Sequence, residues 1–249
     1  MSLKTILVHI DDSDRCSHRL NVAIRLALDA RARLVGIYLV PAPELPPSVA
    51  VLLPDELVER RQREIGEAQY AAELRFRNAA SSAGLTRIEW RAPAGPPIAA
   101  AVEHGRCADL FVMGQRDLDD DALLFANELI STTLLSAGRP LLIVPHIGAP
   151  ATLGQNVLIA WDCGREASRA VADALPLLAR AKQVHVVTYN AGVDASTDVG
   201  LSTSRLREWL QDHDIEARVS NLEGSKAGVG ELLLSQAADR SCDLIVMGG

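Results

Sequence analysis

The fold is decided by residues 6–40, which read ILVHIDDSDRCSHRLNVAIRLALDARARLVGIYLV. An apolar run of strand length ends at Asp11 and leads into a segment whose apolar residues recur at i, i+3, i+4, i+7 and i+8. That spacing predicts an amphipathic helix, whose apolar face consists of Leu20, Ala23, Ile24, Ala27 and Leu28. A second apolar run follows the helix, so the stretch predicts a strand–helix–strand unit of a parallel sheet.

The same pattern returns 151 positions later, in residues 157–190, which read VLIAWDCGREASRAVADALPLLARAKQVHVVTYN. Its first apolar run ends at Asp162, and the helical face that follows consists of Val171, Ala174, Leu175, Leu178 and Ala179. Near the end of each copy ADLFVMG (108–114) matches CDLIVMG (242–248), and these two runs lie 134 positions apart. The Pro-rich stretch 41–57 accounts for the 17 extra residues of the first copy. A repeat this long predicts two tandem domains, residues 1–147 and 154–249.

Each copy alternates strands with helices, and runs such as LFVM and LIVM are apolar on both faces. This pattern predicts an α/β class with two doubly wound parallel sheets, each covered by helices on both sides. We expect the strands at 4–10, 33–39, 86–91, 109–113, 141–145, 156–161, 184–189, 215–220 and 243–247. We expect the helices at 14–31, 56–83, 97–106, 122–137, 165–181, 201–212 and 228–239. The second copy ends where its last helix and strand are expected to begin. A truncated chain is one explanation, and a tail after residue 249 is the explanation that we favour.

The composition of the chain indicates which kinds of partner it can bind and in which cellular compartment it is expected. The net charge is −7, and 23% of the residues are charged, which disfavours binding to nucleic acid or to an anionic membrane. No apolar run approaches the ~18 residues of a membrane-spanning helix, and the first residues do not resemble a signal peptide. The cysteines are far apart and form no CxxC motif, which favours a reducing cytoplasmic location; they are Cys16, Cys107, Cys163 and Cys242.

Ligands of an open parallel sheet bind beyond the carboxyl ends of the strands, where the strand order reverses. Asp11 and Asp162 follow the first strand of their copies, and a glycine follows the fourth strand at Gly114 and at Gly248. The aspartates can accept hydrogen bonds from a ribose or an adenine amine, and the glycines allow backbone N–H groups to approach a phosphate. Each aspartate can instead cap the helix that follows it.

The strand–Asp–helix start, the D-L-[FI]-V-M-G run and RPLLIVP (139–145) together resemble the universal stress protein family. The second copy is similar to the second half of tandem members. The resemblance implies a flavodoxin-like, Rossmann-like sheet of order 3-2-1-4-5 in each domain, with the last helix and strand missing from the second. It also implies that the last strands of two domains pair. We expect this pairing between the two copies of one chain, as an intramolecular pseudo-dimer, and a homodimer of chains is a further possibility that the resemblance allows.

In the ATP-binding branch of that family, a loop of the form G-x2-G-x9-G-[ST] holds the phosphates. The aspartate after strand one and a backbone contact after strand two hold the adenosine. In the first copy the matching residues are Asp11, Asp12, Val40 and Gly114. This copy departs from the pattern, because Asp117 replaces the second glycine, and Asn127 and Glu128 replace the Gly-[ST] pair.

The same loop of the first copy carries a run of carboxylates, namely Asp117, Asp119, Asp120 and Asp121. Each of them placed close to a triphosphate costs roughly 1 kcal/mol or more. The resemblance therefore implies a degenerate ATP site in the first copy. The acids can instead form a solvated helix start or bind Mg²⁺.

In the second copy the resemblance places Asp162, Cys163, Tyr189, Gly248 and Gly249 at the nucleotide, and the rest of the phosphate loop falls after Gly249. Cys163 has a second interpretation as a redox-sensitive thiol at a helix start. The run EGSKAGVGEL (223–232) does not match G-x4-G-K-[ST] and is predicted to be a loop and helix start.

We therefore expect a universal stress protein that binds ATP, with or without Mg²⁺, and regulates the stress response without catalysis, through a site in the second domain. A nucleotide-free scaffold that binds protein partners and a slow ATPase stay open as alternatives. The pattern identifies no catalytic base, no catalytic nucleophile and no metal ligand set.

Overall fold

The computed structural model of the chain describes residues 2–13, 15–40, 54–115, 123–146, 152–189, 199–222 and 228–249. The chain divides into two compact units, residues 2–149 and residues 150–249. Each unit holds one parallel sheet with helices between successive strands. Within the described ranges, no helix combines the length and the apolar character that crossing a bilayer requires.

The first unit has five strands and four helices among its described residues. In chain order they are β1 (Thr5–Ile10), α1 (Cys16–Ala30), β2 (Arg33–Tyr38), α2 (Asp55–Ser82), β3 (Ile88–Arg91), α3 (Pro97–Gly105), β4 (Leu110–Gly114), α4 (Leu123–Ala137) and β5 (Leu141–Val144). The strands pair in parallel in the order β3-β2-β1-β4-β5. The predicted fold class and the 3-2-1-4-5 order are therefore confirmed for this unit.

The second unit repeats the first four strands of that arrangement. Its elements are β6 (Asn156–Trp161), α5 (Arg165–Leu178), β7 (Gln183–Tyr189), α6 (Val199–Asp212), β8 (Ala217–Leu222), α7 (Val229–Asp239) and β9 (Leu244–Val246). They form a parallel sheet of order β8-β7-β6-β9. Four strands in this order agree with the sheet expected from the sequence.

Strand register defines which residues correspond between the units. In the first sheet Ile6 pairs with Leu110, and in the second Val157 pairs with Leu244. The offsets are therefore 151 positions on the first strand and 134 on the fourth, the same two offsets that the sequence repeats show. Asp11 thus corresponds to Asp162, and Gly114 corresponds to Gly248.

The central strands are buried because helices cover both of their faces. Ile6, Leu7 and Val8 of β1 are at most 1% exposed, and the matching strand β6 buries Leu158 and Ile159 completely. Branched apolar side chains fill both faces of such a strand well, as is typical of parallel sheets. Burying side chains of this size stabilises the fold by about 1.5–3 kcal/mol each.

The long helix α2 is buried over only part of its length. Ala72 and Phe76 are fully buried, whereas Ile65, which recurs with them at helical spacing, is 47% exposed. The reason is length: 28 helical residues span about 42 Å, while a strand of six residues spans about 20 Å. The sheet is therefore too short to cover the amino-terminal half of α2.

Candidate functional site

The candidate site of the first unit lies at the carboxyl ends of β1 and β4. The strand order reverses there, since β1 has β2 on one side and β4 on the other. Asp11 follows β1 directly, and Gly114 is the last residue of β4. The structure brings these two predicted residues to the same crevice.

The carboxylate of Asp11 is already occupied by protein groups. Oδ1 accepts hydrogen bonds from the Ser13 backbone N–H at 3.2 Å and from Ser13 Oγ at 2.7 Å. Oδ1 also lies 3.0 Å from Nη2 of Arg19, in an ion pair without an aligned hydrogen bond. Burial raises the pKa of Asp11, but the charge of Arg19, the nearby His9 and the Ser13 hydroxyl outweigh burial and hold the pKa below its ordinary value. Asp11 is therefore an ionised, internally paired group.

Arg19 on α1 is the buried cation of this crevice, with 4% of its surface exposed. Its Nε donates a 2.6 Å hydrogen bond to the backbone carbonyl of His9 near the end of β1. Its guanidinium packs against Gly114, where a Cβ atom would collide with Nη1. Arg19 therefore fills the space between the ends of β1 and β4.

His9 completes the buried part of this network. Its Nε2 lies 2.9 Å from the carbonyl oxygen of Leu39 and 3.9 Å from Oδ2 of Asp11. Burial and the charge of Arg19 lower the pKa of His9 to about 4, against the opposing effects of Asp11 and the Leu39 carbonyl. The imidazole is thus neutral at neutral pH, and Nε2–H donates to Leu39.

Asp12 and Val40, the other residues predicted for the first unit, lie at the same edge of the sheet. The Tyr38 hydroxyl donates a 2.7 Å hydrogen bond to Asp12 Oδ2, and Nη2 of Arg75 lies 3.4 Å from Oδ1. Burial and the bond to Asp12 raise the pKa of Tyr38. Val40 is half-buried two residues after β2. Asp12 is therefore also paired within the protein.

The second unit presents a more open version of this edge. Asp162 follows β6 and is exposed, and its Oδ1 accepts a 2.7 Å hydrogen bond from the Gly164 backbone N–H. Among the described residues, that N–H is its one hydrogen-bond partner. Cys163, between them, is half-buried and adopts the left-handed conformation, with φ of 64°. Asp162 is therefore bound at one oxygen to the turn before α5 without capping the helix, while Oδ2 is unpaired within the described part of the chain.

Gly248 lies against the first turn of α5. A Cβ atom at this position would be 2.9 Å from the backbone nitrogen of Ala167 and 2.9 Å from Cβ of Glu166. Only glycine allows the end of β9 to approach the helix start so closely. Gly164, the residue before α5, has no side chain that could cap the helix. The backbone N–H groups of the first turn therefore have no side-chain acceptor from the N-cap residue. Tyr189 is half-buried at the end of the neighbouring strand β7, and Gly249 is exposed.

One difference between the two crevices is a residue of the helix. Arg19 corresponds to Ala170, 151 positions later, and each precedes a buried residue of the shared helical face, Leu20 or Val171. The second crevice thus has no guanidinium at this position. The sequence analysis did not identify Arg19. The sequence did contain a signal, since Arg19 is a charged residue on the same helical face as Cys16, Leu20 and Ala23.

Other residues singled out in the sequence have structural roles or lie outside the described residues. Trp161 is buried, and its Nε1 donates to Ser202 Oγ at 3.3 Å, which is a core position. The acidic run at 117–121 lies outside the described residues, as does the first half of EGSKAGVGEL (223–227). In its second half α7 begins at Val229, in agreement with the predicted helix start. In the part of the chain that is described, no three His, Cys, Asp or Glu side chains are grouped to hold a metal ion.

The chain was compared with known proteins by sequence and by structure, and the structural comparison found proteins of similar architecture. A sequence search among curated proteins found no match. A universal stress protein from Archaeoglobus fulgidus DSM 4304 has a similar structure, with 17% identity, a TM-score of 0.69 and coverage of 98% of this chain and 86% of that chain. A candidate universal stress protein from Pseudomonas aeruginosa UCBPP-PA14 has 15% identity, a TM-score of 0.56 and coverage of 98% and 82%. A universal stress protein in complex with cAMP has 23% identity, a TM-score of 0.42 and coverage of 59% and 99%.

The similarities to the Archaeoglobus and Pseudomonas proteins, which cover 98% of this chain, show a shared fold. The family profile described as the universal stress protein family matches residues 2–145, which is more than half of the sequence. On that match, the chain belongs to the universal stress protein family.

Proposed function

We propose that this chain is a tandem universal stress protein that binds an adenine nucleotide in its second unit and acts as a non-enzymatic regulator of the stress response. The observation that carries the proposal is the exposed Asp162 carboxylate beside the close approach of Gly248 to α5. The matching carboxylate of the first unit, Asp11, is paired with Arg19.

The chemistry of the second crevice fits the nucleoside part of the ligand. Oδ2 of Asp162 is available to accept a hydrogen bond from a ribose hydroxyl or an adenine amine. The start of α5 has backbone N–H groups without a side-chain cap, and the positive end of a helix favours a phosphate. Gly248 adds no side chain to this edge of the sheet, and its backbone packs against the first turn of α5.

The first crevice does not fit a nucleotide. Arg19 fills the space beside Gly114, and Asp11 already accepts from Ser13 and faces the guanidinium. Separating a buried ion pair leaves an uncompensated charge and costs about 3–5 kcal/mol, more than a single hydrogen bond to a ligand returns. We therefore assign one site to each chain.

The proposed location is the cytoplasm, since all four cysteines are free thiols, which is typical of a reducing compartment. The pairing of the two copies and the absence of nucleic acid partners stay predictions of the sequence.

The test is calorimetric titration of the full chain with Mg-ATP, after removal of bound nucleotide. We expect about one site per chain, lost in Asp162→Ala and weakened in Asp162→Asn, whose amide oxygen can still accept the Gly164 N–H. Asp11→Asn is the matched control in the first unit and should bind like the unsubstituted chain. Adenosine titrated in parallel separates nucleoside contacts from phosphate contacts.

Three results contradict the proposal. Absence of heat at millimolar Mg-ATP with a folded protein favours the nucleotide-free scaffold. Phosphate release well above the uncatalysed rate, abolished by Asp162→Ala, favours the slow ATPase. Loss of binding in Asp11→Asn with retention in Asp162→Ala would assign the site to the first unit instead.

A further inference from the structure

The two crevices share a backbone frame and differ in what fills it. Strand order and register place Asp11 and Gly114 in the first unit where Asp162 and Gly248 stand in the second. In both, a glycine ends or follows the fourth strand and has no room for a side chain. The group that removes the room differs: it is the Arg19 side chain in the first unit and the backbone of the helix start in the second.

Arg19 has the contacts of a bound ligand rather than those of a surface cation. It is 4% exposed, it donates to a strand-end carbonyl at 2.6 Å, and it lies 3.0 Å from the carboxylate that follows the strand. A strand-end carbonyl and the following carboxylate are acceptors of the kind that an amine or a hydroxyl of a ligand would use. The guanidinium thus satisfies from within the acceptors that would face a ligand.

We propose that Arg19 determines which unit accepts a nucleoside: its guanidinium closes the first crevice as an internal ligand, whereas Ala170 places no guanidinium at the matching position of the second unit. This inference rests on the proposed function for the second unit only. Its claim about the first unit is independent and has its own test.

Removal of the guanidinium would leave a crevice with the right acceptors. Asp11 Oδ1 would lose the facing cation and keep its bonds from Ser13, the His9 carbonyl would lose its donor, and Gly114 would present backbone without a side chain. The four aspartates that follow in the sequence between positions 117 and 121 would repel a triphosphate. Uncharged adenosine is therefore the probe.

The first experiment measures adenosine binding by equilibrium dialysis in an Asp162→Ala background, which disables the second site. Arg19→Met keeps the aliphatic stem of the side chain and removes the charge. We expect no binding in the background protein and one adenosine per chain after Arg19→Met. The matched control is Arg169→Met, because Arg169 is an exposed arginine on α5 that pairs with Asp173 at 2.7 Å. A folded Arg19→Met protein without adenosine binding would overturn the inference.

The second experiment transfers the guanidinium to the other unit and does not require Arg19 to be replaced. Ala170 is half-buried, so a longer side chain can extend from it. In the otherwise natural chain, Ala170→Arg should bind adenosine at least about tenfold more weakly than Ala170→Gln, because only arginine can form an ion pair with Asp162. When the natural chain binds adenosine, equal affinities of the two variants would overturn the inference, including when Arg19→Met does not fold.

The two proposals can fail separately. A natural chain that binds no adenosine, together with a gain of one site in Arg19→Met, contradicts the proposed function and supports the role of Arg19. A natural chain that binds one adenosine, together with no gain in Arg19→Met and no loss in Ala170→Arg, contradicts the role of Arg19 alone.

Discussion

Acidification should destabilise the first unit through His9 at a higher pH than through Asp11. The folded unit holds the imidazole neutral, because its pKa falls from 6.5 to about 4 on burial beside Arg19. In the unfolded chain the same group takes up a proton near its ordinary pKa. The unfolded state therefore binds more protons between those two values, and the free energy of unfolding decreases as the pH falls through this window.

The magnitude follows from the difference between the two pKa values. A difference of about 2.5 corresponds to about 3 kcal/mol, of which about 2 kcal/mol is lost between pH 7 and pH 4.5. The pKa of Asp11 is lowered below 3.8, so its own contribution is lost only at more acidic pH. The window between pH 6.5 and pH 4 thus reports on His9 rather than on Asp11.

The assay is urea unfolding at pH 7 and pH 4.5, followed by the fluorescence of Trp90. Trp161 and Trp209 are replaced by phenylalanine so that only the first unit is observed. The control is His9→Gln, whose side-chain amide can donate to the Leu39 carbonyl but does not titrate. We expect the histidine protein to lose about 2 kcal/mol more than the glutamine variant between the two pH values.

Two outcomes would refute this reasoning. One is an equal loss of unfolding free energy in the histidine and glutamine proteins. The other is an imidazole resonance of His9 that titrates near pH 6.5 in the folded protein, since that would mean that burial and Arg19 leave its pKa unchanged.

Three further substitutions test other contacts by urea unfolding. Gly114→Ala should destabilise the first unit by about 1–3 kcal/mol, since its Cβ would displace the Arg19 guanidinium; a shorter side chain in Arg19→Met should relieve most of that cost. Phe76→Ala should cost about 3–5 kcal/mol, because Phe76 is fully buried and its ring lies 5.6 Å from that of Trp90; Leu74→Ala, at an exposed site on the same helix, should cost far less. Asp243→Ala should cost the second unit about 1–3 kcal/mol, because its carboxylate accepts two backbone N–H groups at the start of β6, at 3.0 and 3.1 Å; a cost near zero would contradict that role.

Local sequence patterns were sufficient to predict the helices and strands of the fold. The two apolar helical faces at Leu20 and Val171 predicted helices that the structure contains, because amphipathic spacing depends only on neighbouring turns. The match between the repeats also predicted which residues correspond between the units, and strand register agrees with it. Helix length was predicted well for α2, but the exposure of Ile65 depends on where the sheet ends.

The sequence by itself determined the α/β class, the two copies and the positions of Asp11, Asp162, Gly114 and Gly248 at equivalent strand ends. Only the tertiary structure decided that Asp11 is paired and that Asp162 is open. One cause of that difference is Arg19, which pairs with Asp11 and whose guanidinium reaches a glycine 95 positions away in the sequence. The sequence does not indicate whether an aspartate carboxylate faces a cation or water. Whether that carboxylate can bind a ligand therefore depends on the packing around it.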